Sequence, residues 1–94
     1  MYYVYVLLSD KDRKLYIGYT ADLRDRLKRH ADGETISTRY RRPLKLIFYE
    51  AYLKKEDALR RERYFKTSKG KITLRQMLKS YLTEMSFNLG GIDE

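Results

Sequence analysis

The sequence contains no cysteine, no tryptophan and one proline among its 94 residues. Without cysteine, the chain cannot form a disulfide, a cysteine-ligated zinc site or a thiol nucleophile. Only one histidine is present, His30, so a metal centre built from paired histidines is excluded as well. The absence of cysteine fits a reducing compartment, and we expect a cytoplasmic protein.

Long hydrophobic runs are also missing. The apolar run at residues 2–8 is too short to cross a bilayer, and it lacks the basic lead-in and the small-residue exit of a signal peptide. We therefore expect no membrane partner.

The sequence has no glycine-rich phosphate loop and no nucleophile elbow, which argues against the common nucleotide-binding and serine-hydrolase sites.

Positive charge is plentiful. The 21 Lys and Arg residues exceed the 13 Asp and Glu residues and give a net charge of +8. A field of this sign attracts polyanions, of which nucleic acid is the commonest, although charge alone fits equally well a protein that is merely solubilised by it. The 10 tyrosines combine a stacking face with a hydroxyl, which suits a polar groove, but most of them also fit the core of a small sheet.

The hydrophobic pattern predicts one α+β domain with the element order β-β-α-β-α-α. Strands are predicted at residues 1–9, 15–19 and 44–52, and helices at 23–32, 55–66 and 73–83. They would form a three-stranded mixed or antiparallel sheet flanked by helices. The first two strands make an antiparallel hairpin, and the third is predicted to be central because its middle is continuously apolar. We assign residues 1–83 to the domain and residues 84–94 to a flexible C-terminal tail.

Two charged residues stand where the helical pattern favours apolar ones. Arg26 edges the apolar stripe of the first helix, and Glu62 lies within the stripe of the second, between Ala58 and Phe65. A buried charge is costly unless it has a partner. Two interpretations stay open: the two residues form ion pairs with each other or with neighbours, or they serve chemistry.

The side chains available match the requirements of phosphodiester hydrolysis. The arginine fork of Arg26 suits a phosphate, and a single carboxylate such as Glu62 suits magnesium, which keeps most of its waters. Tyr5, Tyr16 or His30 could orient or deprotonate a water molecule. His30 lies four residues after Arg26 and shares its side of the helix, a position that also fits a simple partner for the helix dipole.

These residues resemble a known family. Tyr3-Val4-Tyr5, followed eleven residues later by Tyr16-Ile17-Gly18, resembles the two tripeptides that name the GIY-YIG nucleases. Residues 19–30 resemble the family's next helix, with its arginine at Arg26 and its Tyr/His position at His30. Residues 58–66 resemble the helix with the metal-binding glutamate, at Glu62. Tyr3 stands where the family has glycine, and we expect this departure to change packing rather than chemistry.

The resemblance is closest to small stand-alone bacterial members, and it implies an endonuclease that hydrolyses DNA with Mg²⁺ or Mn²⁺. It implies that Tyr5 and Tyr16 line the site and one of them helps to activate water, that Arg26 holds the scissile phosphate, and that Glu62 holds the cation. Larger relatives link the family to DNA repair and recombination. A basic binding module without catalysis is the alternative, and RNA is not distinguished from DNA. We expect a monomer; transient dimerisation on DNA stays open, since cutting both strands would need two active sites or two encounters.

A basic loop follows the first helix. Its charge predicts a phosphate-contact surface, although a solvated loop fits the same residues. Two lysines further along the chain would extend this surface. The predicted nucleic-acid-binding residues are Arg39, Tyr40, Arg41, Arg42, Lys69 and Lys71.

Overall fold

A three-stranded antiparallel sheet is the centre of the structure, a computed structural model that describes residues 1–89. The strands are β1 (Tyr2–Ser9), β2 (Leu15–Thr20) and β3 (Leu44–Tyr52). The helices are α1 (Leu23–Ala31), α2 (Lys55–Phe65), α3 (Ser68–Met77) and α4 (Lys79–Leu89), with a short 3-10 helix at Arg39–Arg41. The α+β class and the predicted element order are confirmed, with the last predicted helix divided in two.

The central strand is β1, so the prediction that the third strand is central is wrong. The strand order is β2-β1-β3, and both pairings are antiparallel. The apolar middle of β3 has another cause. Phe48 pairs with Val6 and Leu46 pairs with Leu7, so Ile47 is an extra residue at a β-bulge. The bulge, rather than a central position, accounts for three consecutive apolar residues.

The two faces of the sheet are covered differently. Alternate side chains of β1 point to opposite faces. On one side, here called the α2 face, they join residues of α2 and α3 in the main core, whose members include Val4, Val6, Leu8, Ala58, Phe65 and Leu74. On the other side, here called the α1 face, Tyr5 contacts α1 through His30. The candidate catalytic tyrosines therefore lie away from the main core.

Helix α1 begins at the predicted residue, Leu23, and ends at Ala31, one residue before the predicted end. Asp22 is the N-cap, because its Oδ1 accepts a hydrogen bond from the backbone N–H of Asp25 at 3.0 Å. Asp32 is the C-cap, and Gly33 follows it with a φ of +79°, a conformation that favours glycine. The most buried side chain of this helix is His30, which was predicted only to flank its apolar stripe.

The C-terminal helices differ from the prediction. Helix α3 begins at Ser68 rather than Thr73, since Thr67 caps it by accepting the N–H of Gly70 at 3.0 Å. The break at Leu78 was missed because Leu74, Leu78 and Leu82 keep a helical spacing across it. Helix α4 continues past Thr83, so residues 84–89 are helical, and residues 90–94 lie outside the described range; the flexible tail stays a prediction. In residues 1–89, no helix has both the length and the apolar character needed to span a membrane.

Candidate active site

Four of the five predicted catalytic side chains meet on the α1 face. The rings of Tyr5 on β1 and Tyr16 on β2 have centroids 6.3 Å apart. The His30 ring packs edge-on against both, with centroid distances of 5.6 Å to Tyr5 and 5.3 Å to Tyr16. Arg26, one helical turn before His30, acts electrostatically on Tyr5 and His30. These four residues are called the Tyr–His cluster below.

Gly18 makes room for the Tyr5 ring. The two residues are direct partners across β1 and β2. A Cβ atom at residue 18 would lie 2.5 Å from both Cζ and Oη of Tyr5, closer than non-bonded atoms can approach. Any larger residue would push the phenol out of its place. The glycine that ends the second tripeptide is therefore needed to position the tyrosine of the first.

A buried chain of hydrogen bonds runs through the cluster. Tyr5 Oη lies 2.8 Å from His30 Nε2, and His30 Nδ1 lies 2.7 Å from Thr38 Oγ1. All three side chains are at most 1% exposed. Thr38 was not predicted as a site residue, because no pattern distinguishes its hydroxyl from the other hydroxyls of the same polar loop. Only the folded loop brings it to the histidine.

Burial sets the protonation states in this chain. It raises the pKa of the Tyr5 hydroxyl far above its ordinary value, and Tyr16 adds to this effect while Arg26 opposes it. Burial also lowers the pKa of His30, and the positive charge of Arg26 lowers it further. At neutral pH, Tyr5 is therefore a neutral phenol and His30 a neutral imidazole. A neutral imidazole has one nitrogen that donates and one that accepts.

The two tyrosines differ in access to solvent. Tyr5 is 0% exposed, whereas Tyr16 and Arg26 are both partly exposed. A substrate that approaches the α1 face can therefore reach Tyr16 and Arg26 without rearrangement. Tyr5 and His30 lie behind them.

Glu62 is the fifth predicted residue, and it lies on α2 in the layer that packs on the α2 face. Its carboxylate forms an ion pair with Lys66, Oε2 to Nζ, at 3.0 Å, and its side chain is 18% exposed. The neighbouring Arg61 turns the other way and binds Glu50 on β3. Within residues 1–89, no hydrogen bond or ion pair joins Glu62 to the Tyr–His cluster, and it does not pair with Arg26. Its catalytic and metal-binding roles stay predictions.

A single carboxylate limits the kind of metal site that this chain can build. In the described part of the chain, no three or more His, Asp or Glu residues are grouped so as to enclose an ion. Magnesium does not need such an enclosure, because it binds through one or two carboxylates and keeps several waters. The carboxylate of Glu62 is partly exposed, and its partner Lys66 is a surface residue four positions on. This donor fits an open magnesium site completed by water and phosphate oxygens.

Two of the predicted phosphate-binding arginines have structural partners. The guanidinium of Arg41 forms an ion pair with Asp12, Nε to Oδ2, at 2.6 Å, and thereby ties the loop to the β1–β2 hairpin. Arg42 donates to the backbone carbonyls of Arg39 at 3.0 Å and Ala31 at 3.1 Å. These contacts hold the loop in place against α1. They also occupy N–H groups of both guanidiniums that could otherwise bind a phosphate.

Arg39 and Tyr40 are more available. Tyr40 is 75% exposed, and Arg39 Cζ lies 6.0 Å from the centre of its ring. Both line an open groove of about 530 Å³ together with Arg42 and Lys11. The two predicted lysines, Lys69 and Lys71, are on α3, which packs with α2 on the opposite face, so the structure does not bring them into this groove. Phosphate binding by the six residues stays a prediction.

The arrangement of the two tripeptides matches an independent comparison. The family model of the GIY-YIG catalytic domain matches residues 1–76, which include β1, β2, α1 and α2. The chain belongs to the GIY-YIG family. The GIY-YIG domains are a family of nuclease domains.

Several bacterial proteins are similar to this GIY-YIG chain. UPF0213 protein YazA of Bacillus subtilis (strain 168) is 43% identical over 63 residues, which are 66% of this chain and 64% of the relative. UPF0213 protein SpyM50708 of Streptococcus pyogenes serotype M5 is 46% identical over 68 residues, which are 71% of this chain and 73% of the relative. The similarity to YazA therefore spans slightly less than two thirds of that protein. No solved structure matches the chain.

Proposed function

We propose that this protein is a divalent-metal-dependent endonuclease that hydrolyses phosphodiester bonds of DNA and serves DNA repair or recombination. The observation that carries the proposal is the convergence of two tyrosines, an arginine and a histidine on one face of the sheet, in a chain that belongs to a nuclease family. The net charge of +8 supports a polyanionic substrate.

Arg26 is the residue proposed to hold the scissile phosphate. It is partly exposed, and its charge already acts on Tyr5 and His30. A guanidinium stays charged at any relevant pH and donates two parallel hydrogen bonds to phosphate oxygens. Its contribution should therefore grow as negative charge develops on the phosphate in the transition state.

The tyrosines and His30 are proposed to carry the proton of the attacking water. Tyr16, the partly exposed ring, receives the water proton and passes its own to Tyr5, and Tyr5 passes its proton to Nε2 of His30. Such a relay never requires a free Tyr5 phenolate, which the raised pKa of Tyr5 disfavours. The water oxygen bonds to phosphorus, the bond from phosphorus to the leaving sugar oxygen breaks, and that oxygen takes up a proton from solvent.

Thr38 is proposed to set the direction of this relay. When Nδ1–H of His30 donates to Thr38 Oγ1, the other ring nitrogen is free to accept the Tyr5 proton. The opposite tautomer would place a proton on Nε2 and block transfer from Tyr5. Thr38 thus acts through His30 as a positioning residue.

Glu62 is proposed to hold one Mg²⁺ or Mn²⁺ ion. When bound, such an ion supplies positive charge for the phosphate and the leaving oxygen. The support for this role is the position of Glu62 in the helix that resembles the family's glutamate helix, together with a carboxylate that is 18% exposed and paired only with the surface residue Lys66 among the described contacts.

Nicking of supercoiled plasmid and of labelled flap and branched DNAs tests the proposal, with Mg²⁺ or Mn²⁺ and with EDTA. We expect the wild type to cut only with metal, and Glu62→Gln and Arg26→Ala to lose at least about 100-fold in rate, as for other lost transition-state contacts. DNA binding in EDTA should survive Glu62→Gln, since the carboxylate serves chemistry more than affinity.

Matched variants separate these roles from general loss of charge. Glu56→Gln removes an exposed carboxylate from the same helix as Glu62, and Arg29→Ala removes an exposed cation from the same helix as Arg26. Both should cut at close to the wild-type rate. Equal cleavage by wild type and Glu62→Gln would refute the metal assignment. Salt-sensitive binding without cleavage by the wild type would instead identify a nucleic-acid-binding module.

A further inference from the structure

A second groove on the α1 face lies beside the Tyr–His cluster and takes no part in the proposed chemistry. Its volume is about 480 Å³, within the range of small-ligand sites. Tyr3 and Tyr49 form one wall, and the start of α1 with the two residues before it forms the other, with Ala21, Asp22, Leu23, Arg24 and Leu27. The groove thus combines aromatic and aliphatic side chains with one carboxylate, Asp22, and one cation, Arg24.

The two tyrosines, here called the Tyr3–Tyr49 platform, are tilted against each other, and Tyr49 is the exposed ring of the pair while Tyr3 is partly exposed. Their ring centroids are 6.2 Å apart at an interplanar angle of 59°, and the Tyr49 side chain is 52% exposed. Tyr3 stands where the GIY-YIG tripeptide has glycine, and its ring supplies half of the platform. The departure at residue 3 therefore adds an aromatic ring to the wall of the groove.

The groove is built on two of the elements that also carry the candidate active site, β1 and α1. Tyr49 on β3 is the direct cross-strand partner of Tyr5, so their side chains leave the same face of the sheet about 5 Å apart at Cβ. The opposite wall is helix α1, which also carries Arg26 and His30. A strand whose phosphate is held by Arg26 would have its neighbouring nucleotide within reach of the Tyr3–Tyr49 platform.

We propose that this groove stacks one unpaired nucleobase of the substrate strand next to the scissile phosphate. A base has two apolar faces and suits a wall of tyrosine and leucine, while Arg24 favours the adjacent backbone charge. A base inside a duplex must first be unpaired and unstacked at a cost of about a few kcal/mol, so the groove favours a base that is already unpaired. The inference rests on the proposed nuclease function and narrows its substrate to DNA with unpaired nucleotides at the cut, such as flaps and branches.

Fluorescence of 2-aminopurine tests the stacking, because the proposal predicts quenching when the base stacks on a tyrosine ring. The full chain is titrated in EDTA into a flap DNA with the probe at the first unpaired position and into a duplex with the probe paired. We expect saturable quenching with the flap alone. Tyr49→Leu should raise the Kd for the flap about tenfold, in the range for loss of one base stack, whereas Tyr49→Phe, which keeps the ring, should bind like the wild type.

Three outcomes would overturn the proposal: unchanged flap affinity in Tyr49→Leu, equal weakening by Tyr49→Phe, and equal quenching of paired and unpaired probes. Self-association of the wild type that Tyr49→Leu abolishes, seen by sedimentation, would assign the groove to a second copy instead. Tyr3→Leu provides a second variant, expected to weaken binding in the same direction. The stacking assay is run in EDTA and does not depend on cleavage. A protein that fails to nick DNA can therefore still show stacking, and a protein that nicks DNA can still fail to show it.

Discussion

Replacement of Thr38 by valine removes one hydroxyl from the buried chain and leaves its shape nearly unchanged. In the structure, Thr38 Oγ1 lies 2.7 Å from His30 Nδ1, and both residues are at most 1% exposed. No water can replace the lost partner without a cavity. An unsatisfied buried N–H costs about 1–3 kcal/mol. At about 4–8 °C per kcal/mol for a domain of this size, Thr38→Val should melt several degrees below the wild type.

The same substitution should slow cleavage. Without the Thr38 hydroxyl, Nδ1–H of His30 has no acceptor, and the tautomer that can take the Tyr5 proton is no longer favoured. If that tautomer becomes less stable by about 1–3 kcal/mol, the rate of cleavage falls by roughly 5- to 150-fold. The loss should appear in kcat rather than in KM, because Thr38 is buried behind the surface that meets substrate. Thr38→Ser keeps the hydroxyl and should recover most of the rate.

Two measurements check this reasoning together. Single-turnover nicking rates give the catalytic loss, and ¹⁵N NMR of the His30 ring gives the proportion of the two tautomers. We expect Nδ1 to be the protonated nitrogen in the wild type and in Thr38→Ser, and the proportion to shift in Thr38→Val. A wild-type nicking rate in a folded Thr38→Val protein whose tautomer has changed would refute the relay through His30.

Three further predictions concern stability and packing. The pKa of His30 is lowered in the folded state, so the unfolded chain takes up a proton first as the pH falls. The contribution of His30 to stability is therefore fully present above about pH 6.5 and is lost as the pH falls toward the lowered pKa. Melting temperatures measured from pH 8 to 5 should fall accordingly, and His30→Gln should reduce this pH dependence. Gly18→Ala should destabilise the folded protein by about 1–3 kcal/mol and displace the Tyr5 ring. Denaturant unfolding would measure the loss of stability, and the nicking rate would report the displaced ring. An unchanged free energy of unfolding would contradict the packing argument. Asp12→Asn breaks the ion pair with Arg41; the side chain of Asp12 is 33% exposed and that of Arg41 is 25% exposed. We expect the free energy of unfolding to fall by at most about 1 kcal/mol, and by less in high salt.

Much of the fold was predictable because it rests on local periodicity. The bounds of β3 and the start and end of α1 follow from apolar patterning, the capping Asp22 and the terminal Gly33. The position of β1 at the centre of the sheet was not predictable in this way. A bulge at Ile47 produces the same run of apolar residues that a central strand would have. The apolar pattern of the sequence therefore cannot distinguish an edge strand with a bulge from a central strand.

The sequence by itself determined the family, the four residues of the Tyr–His cluster and the basic character of the chain, since spacing and composition are properties of the chain alone. Tertiary structure decided which tyrosine is buried and how His30 is protonated, because burial and the field of Arg26 exist only after folding. It also brought Thr38 to His30 and Tyr49 beside Tyr5. Those residues come from a loop and an edge strand, and pairings between segments distant in sequence leave no periodic trace in either segment.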